Sequence, residues 1–231
     1  MDDGENRQGG REEGQPSTRQ ELRAVYDEIA SHFSETRAYA WPEIETFLDA
    51  TEVEGTDTVG LDIGCGNGRH TEVLSAVVDS AVGLDVSRGL LCEARKKMGE
   101  NGWSGALIQG DATALPLESE TVDVALYIAT LHHLPDRETR LESLRELNRV
   151  LTADGRALVS AWSTAHDRFD ADPDREQGFE TTVDWTLPDG ETLARFYYIY
   201  ALDEFERDIR ESGLSIDAVS LSSGNCYAEV R

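Results

Sequence analysis

The sequence predicts an α/β fold: a single domain built on a doubly wound, mostly parallel sheet. Three observations carry this. Short apolar runs alternate with helix-period stripes along most of the chain. Three of these runs end in an acidic residue, at Asp62, Asp85 and Asp111. The first is followed at once by Gly64-Cys65-Gly66-Asn67-Gly68, a strand–glycine–helix elbow of the kind that holds a nucleoside.

Each element has its own signal. Thr18-x-x-Glu21 reads as a capping box ahead of a helix stripe of Leu22, Val25, Ile29 and Phe33. Pro42 opens a second short helix with Ile44, Phe47 and Leu48 inward. Strands are expected near 58–63, 80–84 and 105–109, with a fourth from Val122 to Tyr127. Val73, Leu74, Val77 and Val78 mark the helix after the glycines. Pro135 and Asp136 introduce a helix bearing Leu141, Leu144, Leu147 and Leu151. Asp154-Gly155 turns into a fifth strand, Ala157 to Trp162. Residues 163–194 read as an irregular insertion near the site. Phe196 to Tyr200, a helix near 203–212, and Cys226 to Val230 are expected to complete the sheet. Residues 1–16 are polar, charged and glycine-rich, and read as a disordered acidic tail ahead of a domain spanning 17–231.

Composition narrows the setting. No run of about twenty apolar residues is present, so no membrane span is expected. The first residues lack the basic and apolar parts of a signal peptide. Cys65, Cys92 and Cys226 are odd in number and far apart. They make neither a metal spacing nor a disulfide framework, so no metal is expected and a reducing cytoplasm is the default. Formal net charge is −25, from 46 acidic and 21 basic residues, and Lys96 and Lys97 are the only lysines. Acids spread over the whole chain, with arginine in place of lysine, resemble proteins of salt-in halophiles, in which high salt screens self-repulsion.

The glycine spacing is not G-x-G-x-x-G, because position 69 is Arg, and this counts against a nicotinamide dinucleotide. A carboxylate at the end of the second strand, Asp85, can take both ribose hydroxyls. Asp111, at the end of the third, can accept from an exocyclic adenine amine. An isolated strand-end Asp is more often a turn former. Three of them beside the glycine loop describe an adenosine with free hydroxyls and no phosphate. This resembles the S-adenosylmethionine site of Rossmann-like methyltransferases.

A more specific resemblance covers roughly residues 22 to 230. Val25-Tyr26-x-Glu28-Ile29-Ala30-x-His32-Phe33-Ser34-x-Thr36-Arg37 and Trp41-Pro42 are similar to the methyltransferases that esterify 5-carboxymethyluridine at the tRNA wobble position. The similarity continues through the glycine loop, His132-His133, Arg137 and Trp162, and resumes at Trp185-x-Leu187-Pro188 and Arg195-Phe196-Tyr197. The chain departs from that family at Arg69, often Lys there, and at Tyr198, often His. A long basic insertion before the last sheet segment is here a short acidic stretch.

The resemblance implies S-adenosylmethionine held by Tyr26, Asp62, Gly64, Cys65, Gly66, Gly68, Asp85, Asp111, Ala112 and Ile128. It implies a tRNA substrate met by His32, Trp41, His132, Arg137, Trp162, Trp185 and Tyr197, with the rings of Trp41, Trp162, Trp185 and Tyr197 stacking on a splayed base. An acceptor carboxylate is already nucleophilic, so it needs orientation rather than a base. Arg37, His133 and Arg195 are the residues expected to hold it. In a sheet of this kind the third strand, 105–109, lies at an edge without Lys, Pro or other charge. The family commonly pairs there with a small zinc-binding activator subunit, and the same heterodimer is implied here. Two other functions stay open: methylation of a small-molecule acceptor, and a non-catalytic cofactor-binding subunit.

One-sided charge sets a first expectation. The thermal midpoint should climb with potassium chloride into the molar range, because added salt relieves self-repulsion. A midpoint that is flat or falls with salt in a thermal melt would remove the halophile reading.

Overall fold

The computed structural model describes residues 19–51, 53, 55–169, 171 and 175–231. The expected tail and Thr18 of the expected capping box lie outside the described residues. Two helices come first, α1 (Arg19–Glu35) and α2 (Pro42–Ala50), the latter opened by proline as expected. Then β1 (Val59–Ile63), α3 (Arg69–Leu74), β2 (Ser80–Asp85), α4 (Arg88–Asn101) and β3 (Ala106–Gln109) alternate. The chain continues through β4 (Val122–Tyr127), a 3-10 turn at Leu131–His133, α5 (Arg137–Val150) and β5 (Leu151–Trp162). It ends with β6 (Phe179–Thr186), β7 (Thr192–Ile199), α6 (Leu202–Glu211), β8 (Ile216–Ser222) and β9 (Asn225–Val230). No helix among the described residues is long and apolar enough to cross a membrane.

Seven strands form the main sheet in the order β3-β2-β1-β4-β5-β9-β8. The first five are parallel, and β9 and β8 join antiparallel. Parallel strands are covered on both faces, which is why β1 and β4 are apolar almost throughout. One face packs Leu61, Ile63, Tyr127 and Val159 against Leu144 and Leu147 of α5 and Phe205 and Ile209 of α6. The other packs Val124, Leu126 and Leu158 against Ile44 and Phe47 of α2 and Leu74 of α3.

Local chemistry ends the helices where the sequence says it should. Ser87 caps α4 by accepting from Leu90 N, and Gly102 closes it in the left-handed region at φ 74°. Asp136 caps α5 by accepting from Thr139 N. Helix α1 docks on the start of α4. Asp27 accepts from Ser87 Oγ at 2.7 Å and Gly89 N at 2.8 Å, at a glycine where a Cβ would press on the Asp27 backbone.

The second half of the chain departs from the sequence expectation. Part of the region read as irregular is a two-stranded antiparallel sheet of its own, β6 with β7. Phe196 to Tyr200 therefore belongs mostly to this hairpin and not to the main sheet. The alternation was there: Phe179, Thr181, Val183 and Trp185 against Glu180, Thr182, Asp184 and Thr186. Threonine on the inward face and the acidic stretch before it hid the period. Strand β8 was also missed. Ser223 (φ 50°) and Gly224 (φ 76°) make the two-residue turn from β8 to β9, with both φ values positive as a tight hairpin turn requires. Strand β5 starts at Leu151 rather than Ala157, with a register break between the pairs at Val122 and Val124 that absorbs Asp154-Gly155.

A buried polar network fixes the hairpin to the sheet layer. Arg140, 2% exposed, donates through Nε to Tyr200 Oη at 2.8 Å and through a terminal nitrogen to the Leu134 and Pro135 carbonyls. Its guanidinium lies 3.7 Å from the Tyr198 ring centre. Tyr198 Oη donates to Glu204 on α6, and Glu204 also accepts from Gly178 N ahead of β6. Arg140→Ala should cost about 2–4 kcal/mol in chemical denaturation at high salt, because it strands the Leu134 and Pro135 carbonyls and removes the donor to Tyr200 Oη, leaving that phenol only its bond to Asp208. A cost below about 0.5 kcal/mol, the range of surface changes, would show the network to be dispensable.

Candidate active site

The sheet grows outward from β1 in both directions, first to β2 and β3 and then, after the chain returns, to β4. The loops after β1 and β4 diverge at that reversal and leave a crevice above the carboxyl ends of the strands. The crevice is a cavity with an empty volume of about 1170 Å³, counting its open mouth. Fifteen of the residues singled out from the sequence meet in it. On the loop side these are Gly64, Cys65, Gly66, Asp85, Asp111, Ala112 and Ile128. On the opposite side are Tyr26, Arg37, Trp41, His132, His133, Trp162, Arg195 and Tyr197.

The glycine loop is shaped by its neighbours. Gly64, Gly66 and Gly68 have φ values of 72°, 54° and 79°, which disfavour any side chain. At Gly64 a Cβ would collide with Thr130. At Gly66 the nearest atom to a Cβ is Phe33 at 3.7 Å, so the space left there is the cavity's own. Asp85 anchors the loop by accepting from Gly66 N and, through its other oxygen, from Ser87 N, both at 2.8 Å. Each carboxylate oxygen keeps one lone pair for a ribose hydroxyl. Burial pushes the Asp85 carboxyl up to about 6. Asp111 accepts from Thr113 N at 2.9 Å and Thr113 Oγ1 at 2.8 Å. Glycine loop, Asp85 and Asp111 thus meet at one cavity, in the arrangement that the expected adenosine site requires.

Three arginines converge on the same cavity. Arg37, Arg69 and Arg195 all line it, and none has a carboxylate within 4 Å among the described residues. What holds them is aromatic. The Trp185 ring has Arg37 at 4.7 Å and Arg195 at 4.9 Å, and Trp41 has Arg69 at 5.2 Å. A ring face steadies a guanidinium without neutralising it, so the cations stay available to an anion. Arg195 is 5% exposed, and its Nε is buried with no hydrogen-bond partner. Burial, then Arg195, pull the Arg37 guanidinium below its ordinary value.

The two histidines differ sharply. His133 Nδ1 lies 3.0 Å from the Phe196 carbonyl, which can only accept, so Nδ1 carries the proton. Nε2 is then the acceptor, and Tyr26 Oη donates to it at 2.8 Å. Tyr26 Oη in turn lies 3.5 Å from a terminal nitrogen of Arg195. Burial pushes the His133 imidazole down to about 3, so the ring is neutral. Both nitrogens are engaged, which leaves His133 no donor for an acceptor carboxylate. It is a positioning residue for Tyr26, contrary to the role expected from sequence. His132 is the open one. Its Nδ1 accepts from Trp162 N at 3.0 Å, and burial, then His133, hold it neutral, so Nε2–H is its remaining donor. The ring stacks on Tyr197 at 4.9 Å, and Tyr197 stacks on Trp162 at 4.6 Å.

Five expected site residues do not line the cavity. Asp62 lies behind the loop and accepts from Thr71 Oγ1 at 2.6 Å, tying β1 to α3, and burial pushes it up to about 7. Gly68 starts α3 and faces Ala94 and Trp103. His32 accepts from Trp185 Nε1 at 3.1 Å, so this pair supports the arginines from outside. Arg137 is paired with Asp208 at 2.7 Å and Glu211 at 2.6 Å, between α5 and α6. Other residues were missed. Asn67 and Lys97 both donate to the Arg37 carbonyl, at 2.8 and 2.9 Å, and fix that loop to the glycine loop. Phe33, Arg69, His70 and Thr130 complete the wall. Asn67 and Arg69 had a signal, in and directly after the glycine loop, and Phe33 had one in the motif that ends at Arg37.

Comparison with known proteins agrees with this geometry. A methyltransferase-domain model matches residues 61–159. A putative methyltransferase of Encephalitozoon cuniculi is 32% identical over 195 residues, covering 83% of this chain and 85% of that protein. The chain belongs to the methyltransferase family. This methyltransferase is also 37% identical to the Saccharomyces cerevisiae tRNA (carboxymethyluridine(34)-5-O)-methyltransferase over 166 residues, 71% of the chain. It spans 56% of that yeast protein and 19% of the mouse protein of the same name, to which it is 38% identical over 139 residues. Among solved structures, the fold superposes on the DhpI complex with S-adenosylmethionine at a TM-score of 0.68, with 22% identity and 90% and 94% of the two chains covered. A putative methyltransferase in complex with the Haloferax volcanii Trm112 activator superposes at 0.66, with 14% identity and 90% and 96% covered.

The histidine assignment makes a direct expectation for the methyltransferase. In ring-nitrogen NMR, His133 should be the Nδ1–H tautomer and should not titrate between about pH 5 and 8. Tyr26→Phe should raise its pKa, because the phenol's hydrogen bond stabilises the neutral ring. Titration of wild-type His133 in that range would overturn the assignment.

Proposed function

We propose that the protein transfers the methyl group of S-adenosylmethionine to a carboxylate, and that this carboxylate is the 5-carboxymethyl group of a wobble uridine in tRNA. The observation that carries the reading is Arg195: a buried cation with an unpartnered Nε, in one cavity with an adenosine cradle. An uncompensated buried charge costs several kcal/mol unless an anion arrives to pair with it. The likeness to named wobble-uridine methyltransferases supports the same acceptor.

The bound cofactor supplies an electrophilic methyl on a sulfonium. The chain's own residues do the rest by placement. Asp85 and Asp111 hold the adenosine. Arg195, Arg37 and the His132 Nε2–H hold one carboxylate oxygen and leave the other aimed at the methyl carbon. No proton has to be removed from the acceptor. Tyr197, Trp162 and Trp41 give faces on which a splayed base can stack. Net charge favours the alternative, a small-molecule acid, since a polyanionic tRNA is repelled by a surface at −25. Three unpaired arginines at the cavity are the local answer to that repulsion.

We assign the activator's place to β3. It is the outermost strand of the sheet, and its residues Ala106-Leu107-Ile108-Gln109 carry no charge. The partner is a small zinc-binding subunit that adds a strand there. A complex with such proteins on co-expression, abolished by Leu107→Lys, supports it. A soluble, monomeric and fully active single chain overturns it.

Two outcomes test the chemistry. Cofactor affinity should fall as pH drops below about 6, because the ribose hydroxyls need the ionised Asp85; Asp85→Asn should weaken binding by about 1–3 kcal/mol and flatten the pH profile. A profile unchanged in the variant, by calorimetry, would remove Asp85 from the site. Arg195→Gln should lower methyl transfer by about a hundredfold while cofactor affinity stays within about twofold. Mass spectrometry of tRNA nucleosides from a strain lacking the gene then separates the acceptors. Loss of the wobble methyl ester supports tRNA, and an unchanged nucleoside profile supports a small acid.

A further inference from the structure

The segment between α1 and α2, residues 36–41, carries the most exposed large apolar side chain among the described residues. Tyr39 is 84% exposed, against 48% for Leu221 on β8 and 37% for Val77 after α3. A single exposed ring is ordinary on a protein surface, so its place has to decide what it means. Arg37 and Trp41, two residues to either side, both line the cavity. The flanking side chains turn in, and the Tyr39 ring between them points to solvent at the rim.

This segment has no helix or strand of its own, yet it is fixed at several points. Thr36 Oγ1 donates to the His32 and Phe33 carbonyls at 3.1 Å and closes α1. The Arg37 guanidinium donates to Thr36 Oγ1 at 2.8 Å, and the Arg37 carbonyl accepts from Asn67 and Lys97. Arg69 reaches the Tyr39 carbonyl at 3.4 Å, and Pro42 then starts α2. The backbone under the ring is held before any ligand comes, so a contact to the ring costs only the freedom of one short side chain. Ala38 and Ala40 beside it are small. One ring between alanines is too little apolar surface for a protein partner, which needs roughly 800 Å² a side. It matches the face of one nucleobase.

We propose that Tyr39 is a stacking platform for the nucleotide next to the acceptor base: the acceptor enters the cavity, and its neighbour in the RNA rests on the rim. The platform rests on the reading of the acceptor as a tRNA nucleotide. It also suits the charge of the chain. At −25 the surface offers a polyanion little net attraction, and ring-on-ring stacking draws on no net charge.

The full chain is tested with an anticodon stem-loop carrying 5-carboxymethyluridine at the wobble position. Tyr39→Ala should raise Kd and KM for the stem-loop by about tenfold, while kcat and the affinity for S-adenosylhomocysteine stay within about twofold. Tyr39→Trp should restore stem-loop affinity, because it keeps a ring. The loss in Tyr39→Ala should be the same in dilute and in molar potassium chloride, since stacking releases no counterions. A 2-aminopurine on one side or the other of the wobble base reads the stack directly. Its fluorescence should be quenched on binding at one of the two positions, and the quenching should vanish in Tyr39→Ala. Wild-type affinity or wild-type quenching in Tyr39→Ala would overturn the proposal. A loss that disappears at molar salt would overturn it in favour of a phosphate contact. A fall in kcat or in cofactor affinity as large as the fall in stem-loop affinity would make Tyr39 a support of the cavity wall instead. Failure of the wild-type protein to bind the stem-loop, with methylation of a small acid intact, would overturn the tRNA reading itself and the platform with it.

Discussion

The reversal of sheet growth between β1 and β4 is the constraint on which the site depends. Crossovers in parallel sheets are right-handed, so elements on the two sides of the reversal lie on opposite faces. The connections part at the carboxyl ends of β1 and β4, and the cavity lies where they do so. The glycine loop lines one side of this opening and the 3-10 turn with its two histidines the other. Asp85 then couples the loop to the next helix by spending one lone pair of each oxygen on backbone N–H groups. Burial of that carboxylate is costly, and its two backbone donors offset part of the cost.

Around this opening the molecule keeps positive charge unpaired, against its own composition. Most of the arginines on α5 and α6 are matched: Arg137 with Asp208 and Glu211, Arg145 with Glu138, Arg149 with Glu146, Arg210 with Glu206. Arg37, Arg69 and Arg195 are matched with rings instead. Trp185 serves two of them, and His32 holds the indole nitrogen. An aromatic support fixes a guanidinium in place while leaving its donors free, whereas a carboxylate support would have used up the very charge that the proposed anionic acceptor needs.

The β6–β7 hairpin brings Arg195 and Tyr197 to the cavity wall, with Trp185 behind them, so a segment outside the main sheet supplies much of the proposed acceptor side. It is held by Glu204, Tyr198 and Arg140 at one end and by packing of Trp185 against Leu22, Tyr26 and Ile29 of α1 at the other. The α1 side chain Tyr26 links the two halves, receiving from Arg195 and donating to His133. His133 is consumed by this linkage, and His132 is left to face the cavity.

The parallel strands, the glycine loop and the acidic strand ends were legible in the sequence, because each is a local signal: an apolar run, a backbone that needs positive φ, a cap. So was the edge position of 105–109, once the order of a doubly wound sheet was assumed. The β6–β7 hairpin was not, since threonine and acid weaken its alternation and its partner faces lie on α1. Arg137 looked like a site residue because its neighbours in sequence are; only the packing of α6 against α5 shows that Asp208 and Glu211 claim it. The same holds for the two adjacent histidines, which sequence cannot tell apart. Which one is spent and which one is free depends on the Phe196 carbonyl, the Trp162 amide and the Tyr26 hydroxyl, groups that lie 63, 30 and 107 residues away along the chain. The sequence by itself determined the glycine loop and the acidic strand ends that the proposed cofactor half is built from, where backbone conformation does the work. Tertiary structure alone decided the acceptor half, because there each side chain's role is set by which distant partner has already taken its hydrogen bonds.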